Sequence, residues 1–140
     1  MTAAEIREAY ANGIECKLIP DVAANGSDGP LTVARGEKLV LQVSLDPGSF
    51  DGSRADWWCI AETPLGLYHY DMRSASWRPG VVPTWQGAVF NLESLELLTT
   101  DRRPPGSYMI HFGVDLLMNG LLDLDDLIVD LVQIDVVDPE

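Results

Sequence analysis

Basic residues are scarce in this chain. Nine Lys and Arg stand against 22 Asp and Glu, a formal net charge of −13. Nucleic acid and anionic membrane surfaces both require clustered Lys and Arg, so the deficit argues against either partner. It suits divalent cations, neutral glycans or a basic protein surface. Long apolar runs are missing too: nothing reaches the roughly 18 apolar residues of a membrane helix, so no membrane insertion is expected. Residues 1–13 lack the basic n-region and apolar h-region of a secretory signal, which leaves open a cytoplasmic protein or an exported one already cleaved.

Cysteine is nearly absent. Cys16 and Cys59 are the two present, and no C-x-x-C occurs, which excludes a zinc knuckle or a thioredoxin-type site. They form one disulfide in an oxidising compartment, or they are two buried thiols. His69 and His111 are the two histidines, and neither adjoins a nucleophile in a recognisable motif. G-x-S-x-G, H-E-x-x-H and a Gly-rich phosphate loop ahead of a helix are all missing. No catalytic residue emerges, and the chain reads as no enzyme.

A length of 140 residues supports a single domain. Thr2 and Glu5 form a capping box, Ile6 and Tyr10 share a face, and Gly13 is a stop. Residues 1–13 therefore read as a short helix or leader, and residues 14–140 as the β domain. From Ile14 the period changes to two. Ile14 to Ile19 reads as a strand stopped by Pro20. Leu39, Leu41, Val43 and Leu45 line one face of a half-buried strand. Asp56 to Ala61 is a strand with bulky residues on both faces, and Leu67 to Tyr70 returns from it. Ser74 to Trp85 reads as irregular. Tyr108, Ile110, Phe112 and Val114 line one face near the end of the chain, as do Val132, Ile134 and Val136. The pattern predicts an all-β, immunoglobulin-like antiparallel β-sandwich of about seven to nine strands. A barrel or jelly roll is the alternative. Tyr108, at the start of the penultimate strand, occupies the place of a tyrosine corner.

Three groups of residues bear on function. Asp115, Asn119, Asp123 and Asp126 fall at positions one, five, nine and twelve of a calcium loop, with Gly120 at position six. Leu117 at position three offers no oxygen, and Asp126 is shorter than the usual Glu. The competing reading is a hairpin turn on Asn119-Gly120 with no cofactor bound. The second group is aromatic. Trp57, Tyr68, Tyr70, Trp77 and Trp85 could stack on a glycan, although a sandwich also buries a Trp on a central strand, and one of Trp57 and Trp58 is assigned to the core. The third group is apolar. Leu116, Leu117, Met118 and Leu121 crowd the acidic segment, and Val129 and Leu131 lie off the core parity of the last strand. Surface this apolar predicts contact with a protein partner or self-association.

The segments Asn25-Gly26-Ser27-Asp28-Gly29-Pro30, Asp56-Trp57-Trp58, Thr63-Pro64-Leu65-Gly66-Leu67-Tyr68, Trp77-Arg78-Pro79-Gly80, Pro105-Gly106-Ser107-Tyr108 and Phe112-Gly113-Val114-Asp115 together resemble an uncharacterised immunoglobulin-like β-sandwich domain. Such domains stand at the end of exported or surface proteins of Gram-negative bacteria. The resemblance runs from about residue 20 to residue 137. It implies a periplasmic, surface or secreted location and a non-enzymatic role. Leu116, Leu117 and Leu121 depart from the polar residues expected there, which weakens calcium and favours burial against another surface.

Overall fold

The alternation of Leu39, Leu41, Val43 and Leu45 becomes a strand that turns these four side chains into the core and leaves Gln42 in solvent. The same period-two logic builds most of the molecule. The computed structural model describes residues 18–100, 104–122 and 127–138, with the backbone alone at 99 and 100. The expected N-terminal helix and Cys16 lie outside the described residues.

The strands are β1 (Ile19–Ala24), β2 (Leu31–Ala34), β3 (Leu39–Asp46), β4 (Arg54–Thr63), β5 (Gly66–Asp71), β6 (Ser76–Pro79), β7 (Trp85–Ala88), β8 (Leu92–Thr100), β9 (Gly106–Asp115) and β10 (Leu127–Val137). One sheet has the order β1-β3-β8. The larger runs β2-β10-β9-β4-β5-β6, with β7 also paired to β4. Against each other they form the predicted β-sandwich, and the order is that of an immunoglobulin fold with the extra edge strands of the variable type. Core side chains from both sheets meet between them, among them Val22, Leu41, Val43, Trp57, Phe112, Val132 and Ile134.

Three expectations need correction. Pro20 does not stop the first strand: β1 runs Ile19–Ala24 through it, with Pro20 opposite Leu45. A proline is tolerated there because β1 is an edge strand. The stretch from Ser74 to Trp85 is less irregular than its prolines suggested, since β6 pairs with β5 and β7 starts at Trp85. Nor are all pairings antiparallel: β2 lies parallel to β10. After β1 the chain turns tightly at Asn25-Gly26, where Ala24 and Ser27 exchange backbone hydrogen bonds of 2.9 Å, and then crosses to the other sheet. Gly29 makes the crossing possible, because its φ is 85° and a Cβ there would lie 2.9 Å from the Val132 side chain.

β4 is the central strand, and it changes neighbours along its length. Arg54 to Trp57 pair with β7, and Ile60 to Thr63 pair with β5. Thr84 closes the gap between them. Its backbone N–H donates to the Trp57 carbonyl at 2.7 Å, and its hydroxyl oxygen accepts the Cys59 N–H at 2.9 Å. At the start of β9, the Tyr108 hydroxyl donates to the Pro104 carbonyl at 2.7 Å. That is the tyrosine corner expected from sequence.

Candidate functional site

Because Trp57, Cys59 and Ala61 of β4 face the core, Asp56, Trp58, Ile60 and Glu62 face outward. Cross-strand register then builds the outer face of the larger sheet in rows. Asp56, Asp115 and Leu127 form one, Trp58, Gly113 and Val129 the next, and Ile60, His111 and Leu131 the third. Gly113 adds no side chain to the middle row. A Cβ there would collide with the Ile128 carbonyl and sit 2.8 Å from the Val129 Cα.

The middle of this face is apolar. Trp58 and Ile60, with Leu67, Val81, Leu122 and Val129, line a groove of about 330 Å³. Its floor is closed, with Trp58 at 3% exposure, but its flank is open: Val129 is 43% and Leu131 45% exposed. The Trp58 indole N–H is buried with no hydrogen-bond partner among the described residues. The polar pair on the face is His111, whose Nε2–H donates to the Glu62 carboxylate at 2.6 Å. The other histidine is remote from it in role: His69 Nδ1–H donates to the Gly80 carbonyl at 3.0 Å.

The acidic loop closes one end of the groove. Asp56 is wholly buried. One carboxylate oxygen accepts the Gln86 side-chain amide at 2.7 Å. The other accepts the backbone N–H groups of Asn119 at 3.1 Å and Gly120 at 2.7 Å. Inside the loop, Asp115 accepts the Leu117 N–H and Asn119 accepts the Leu121 N–H, both at 2.9 Å. These are local Asx turns, and Gly120 takes the positive φ of 78° that the turn requires.

The residues singled out in the sequence are therefore distributed as follows. Of the calcium-loop set, Asp115 is buried with one oxygen on Leu117 N–H, Asn119 is exposed, and Asp123 and Asp126 lie outside the described residues. Of the apolar set, Val129 and Leu131 share the outer sheet face, while Leu117 and Leu121 are exposed on the loop. Leu116 packs against the core, and Met118 is half-buried. Among the aromatics, Trp57 and Tyr70 are buried in the core and offer solvent no free ring face. Trp85 stands edge-on to Trp57 at 5.7 Å and Trp77 edge-on to Tyr70 at 5.5 Å. Tyr68, Trp77 and Trp85 are half-buried.

Sequence reading missed the clamp role of Asp56 and the participation of Trp58 and Ile60. The available signal was the run of bulky residues on both faces of β4, which requires cover on the outer side as well as the inner. It also missed a carboxylate cluster. Oxygens of Asp21, Asp28 and Asp130 lie within 4.8 Å of one another, and Asp130 accepts the Val22 N–H at 3.0 Å. Three carboxylates supply part of the six to eight oxygens Ca²⁺ takes. Partial burial, and then the charges of Asp28 and Asp130, push the Asp21 carboxyl above the ordinary Asp range. On the core side, burial pushes the free Cys59 thiol well above its usual range. Among the described residues no helix is long and apolar enough to cross a membrane.

No protein-family model matches the chain, and no curated protein matches it. Among solved structures it is similar to the CARDB domain of the PF1109 protein from Pyrococcus furiosus, determined in complex with di-metal ions. Identity is 14%, 88% of each chain is covered, and the TM-score is 0.45.

Proposed function

We propose that this chain is a non-catalytic interaction module that binds a protein partner through the outer face of its larger sheet. The observation that carries the reading is the third row of that face together with its neighbour: Leu131 and Val129 stand open to solvent beside the buried Trp58 and Ile60. Solvent-exposed strand positions ordinarily carry polar side chains, and a contiguous apolar patch beside a buried Trp fits the centre of an interface.

The partner is a different protein with a basic rim. At −13 per copy, two copies repel each other at long range, whereas a surface with Lys and Arg around an apolar centre is both steered in and matched. The Glu62 carboxylate beside the groove, paired with His111 and 53% exposed, adds negative charge facing such a rim. The periplasmic, surface or secreted location implied by the family resemblance belongs to the same proposal.

Light scattering and affinity purification from the native cells test it together. The expected result is a monomer when purified alone, and a single co-purifying basic protein that is lost in Leu131→Asp while the melting temperature is kept. A dimer that Leu131→Asp dissociates would move the face to self-association and overturn the partner reading. The glycan alternative rests on the half-buried Tyr68, Trp77 and Trp85. It is tested by glycan binding that Trp85→Ala abolishes.

A further inference from the structure

His69 and His111, the two histidines of the chain, stand opposite the same residue. Ile60 pairs with His69 of β5 on one side and with His111 of β9 on the other. Register partners project to the same side of a sheet. Both rings therefore lie on the outer face, in the row that Leu131 continues beyond His111.

The two rings are held differently. His69 is buried, and its Nδ1 is engaged by the Gly80 carbonyl. His111 keeps 29% of its side-chain surface in solvent, with its Nε2 at 2.6 Å from the Glu62 carboxylate. A partner seated on Leu131 would cover what remains of the His111 ring. Among the described residues, few charged groups face these rings. Arg78 of β6 is opposite His69, and it is paired at 3.3 Å with Asp71, two residues along β5. Glu62 of β4 is beside His111. Two rows away stand Asp56 and Asp115 on one side and Asp135 of β10 on the other.

The Glu62–His111 pair changes its charge with pH at the edge of the apolar patch. While His111 is neutral, Glu62 presents a full negative charge there. A protonated His111 makes the two an ion pair of no net charge. Histidine is the side chain whose ordinary charge change falls between about pH 5 and 8. For a partner with Lys and Arg around an apolar centre, protonation takes away the matched anion. It also sets an imidazolium beside Leu131, where docking would strip its water.

We infer that His111 is an acid sensor of this interface, whose protonation releases the basic partner. This rests on the proposed use of the outer face and adds its regulation. The complex then binds fewer protons than the two free proteins, so dissociation increases as pH falls through the histidine range.

Photocrosslinking in extracts of the native cells tests it, with the probe at Val129 so that Leu131 stays beside His111. Below saturation, the adduct formed at about pH 7.5 should fall roughly tenfold at about pH 5.5, the size of one ionisation opposed by docking. His111→Gln cannot gain a charge, and its adduct should be equal at both pH values. Glu62→Gln removes the anion and should already weaken the adduct at the higher pH; it decides if His111→Gln does not fold. Equal wild-type adducts at both pH values, a fall that His111→Gln leaves in place, or a Glu62→Gln adduct as strong as the wild type at the higher pH would each overturn the sensor and leave the partner standing. No adduct at either pH would overturn the partner reading, and the sensor with it.

Discussion

Asp56 and Gly120 are joined by a 2.7 Å hydrogen bond from the Gly120 N–H to the Asp56 carboxylate, across 64 residues of sequence. That bond decides where the acidic loop lies. The same carboxylate holds Asn119 and Gln86, so three donors converge on one buried anion at the end of the central strand. Charge-assisted bonds of this kind are worth about 1.5–3 kcal/mol each, and removing the acceptor leaves its donors unpaired. Asp56→Ala should therefore lower unfolding free energy by roughly 3 kcal/mol. It should also expose the bond between Leu117 and Met118 to limited proteolysis under conditions where the wild type stays intact. Urea denaturation and a protease time course check the two parts separately.

Gly113 is required by the approach of β10 rather than by a turn. Its Cβ position is occupied by the backbone of Ile128 and Val129. Gly113→Ala should cost about 1–3 kcal/mol, the usual size of forced overpacking. The loss should appear as a lower urea midpoint with an unchanged slope.

The contrast between these two positions shows how much was legible. The β-sandwich and its inner face could be read because Leu39, Leu41, Val43 and Leu45, and then Tyr108, Ile110, Phe112 and Val114, each recur with a period of two along one strand, Val40 being the exception in the first. The tyrosine corner is local as well, since Tyr108 reaches back four residues to Pro104. The candidate face is different in kind. It needs Trp58, Gly113 and Val129 in one row, and that row exists only through the register of β4 with β9, a strand far from it in sequence, and of β9 with β10. Val129 and Leu131 could be noticed as off parity, but not what they stand beside. The acidic loop invited calcium because its carboxylates are close in sequence. Asp21, Asp28 and Asp130 come together in space from three separated segments, and no local pattern announces them. Pro20 and the prolines near β6 misled for a simpler reason: an edge strand tolerates a residue without an N–H, and edges are set by sheet order.

Asp21 gives a pH prediction. Its carboxyl is raised by partial burial and by Asp28 and Asp130. A raised carboxyl binds its proton more tightly in the folded state, so its stabilising contribution is fully present below the unfolded value and is lost as pH rises through the folded one. At neutral pH only the repulsion remains. Asp21→Asn should therefore stabilise the protein at pH 7, by roughly 0.5 kcal/mol since the group is largely exposed. The advantage should vanish below about pH 3.8, the ordinary value for the carboxyl. Melting temperatures of both proteins across that range check the sign.

Cys59 should be inert. Its thiol is buried, and burial disfavours the thiolate that would react. In a Cys16→Ser background, iodoacetamide should label Cys59 only as fast as the protein unfolds. The labelling rate should rise with urea in step with the unfolding transition. Rapid labelling in buffer would contradict the burial.

The central claim is that the outer face of the larger sheet meets a basic protein. Site-specific photocrosslinking in the native cells tests it most directly, with the probe placed at Leu131 on that face or at Gln42 on the solvent side of β3. The account predicts one discrete adduct from Leu131, containing a second and basic protein, and none from Gln42. Equal adducts from both positions, or an adduct with another copy of this chain, would contradict it.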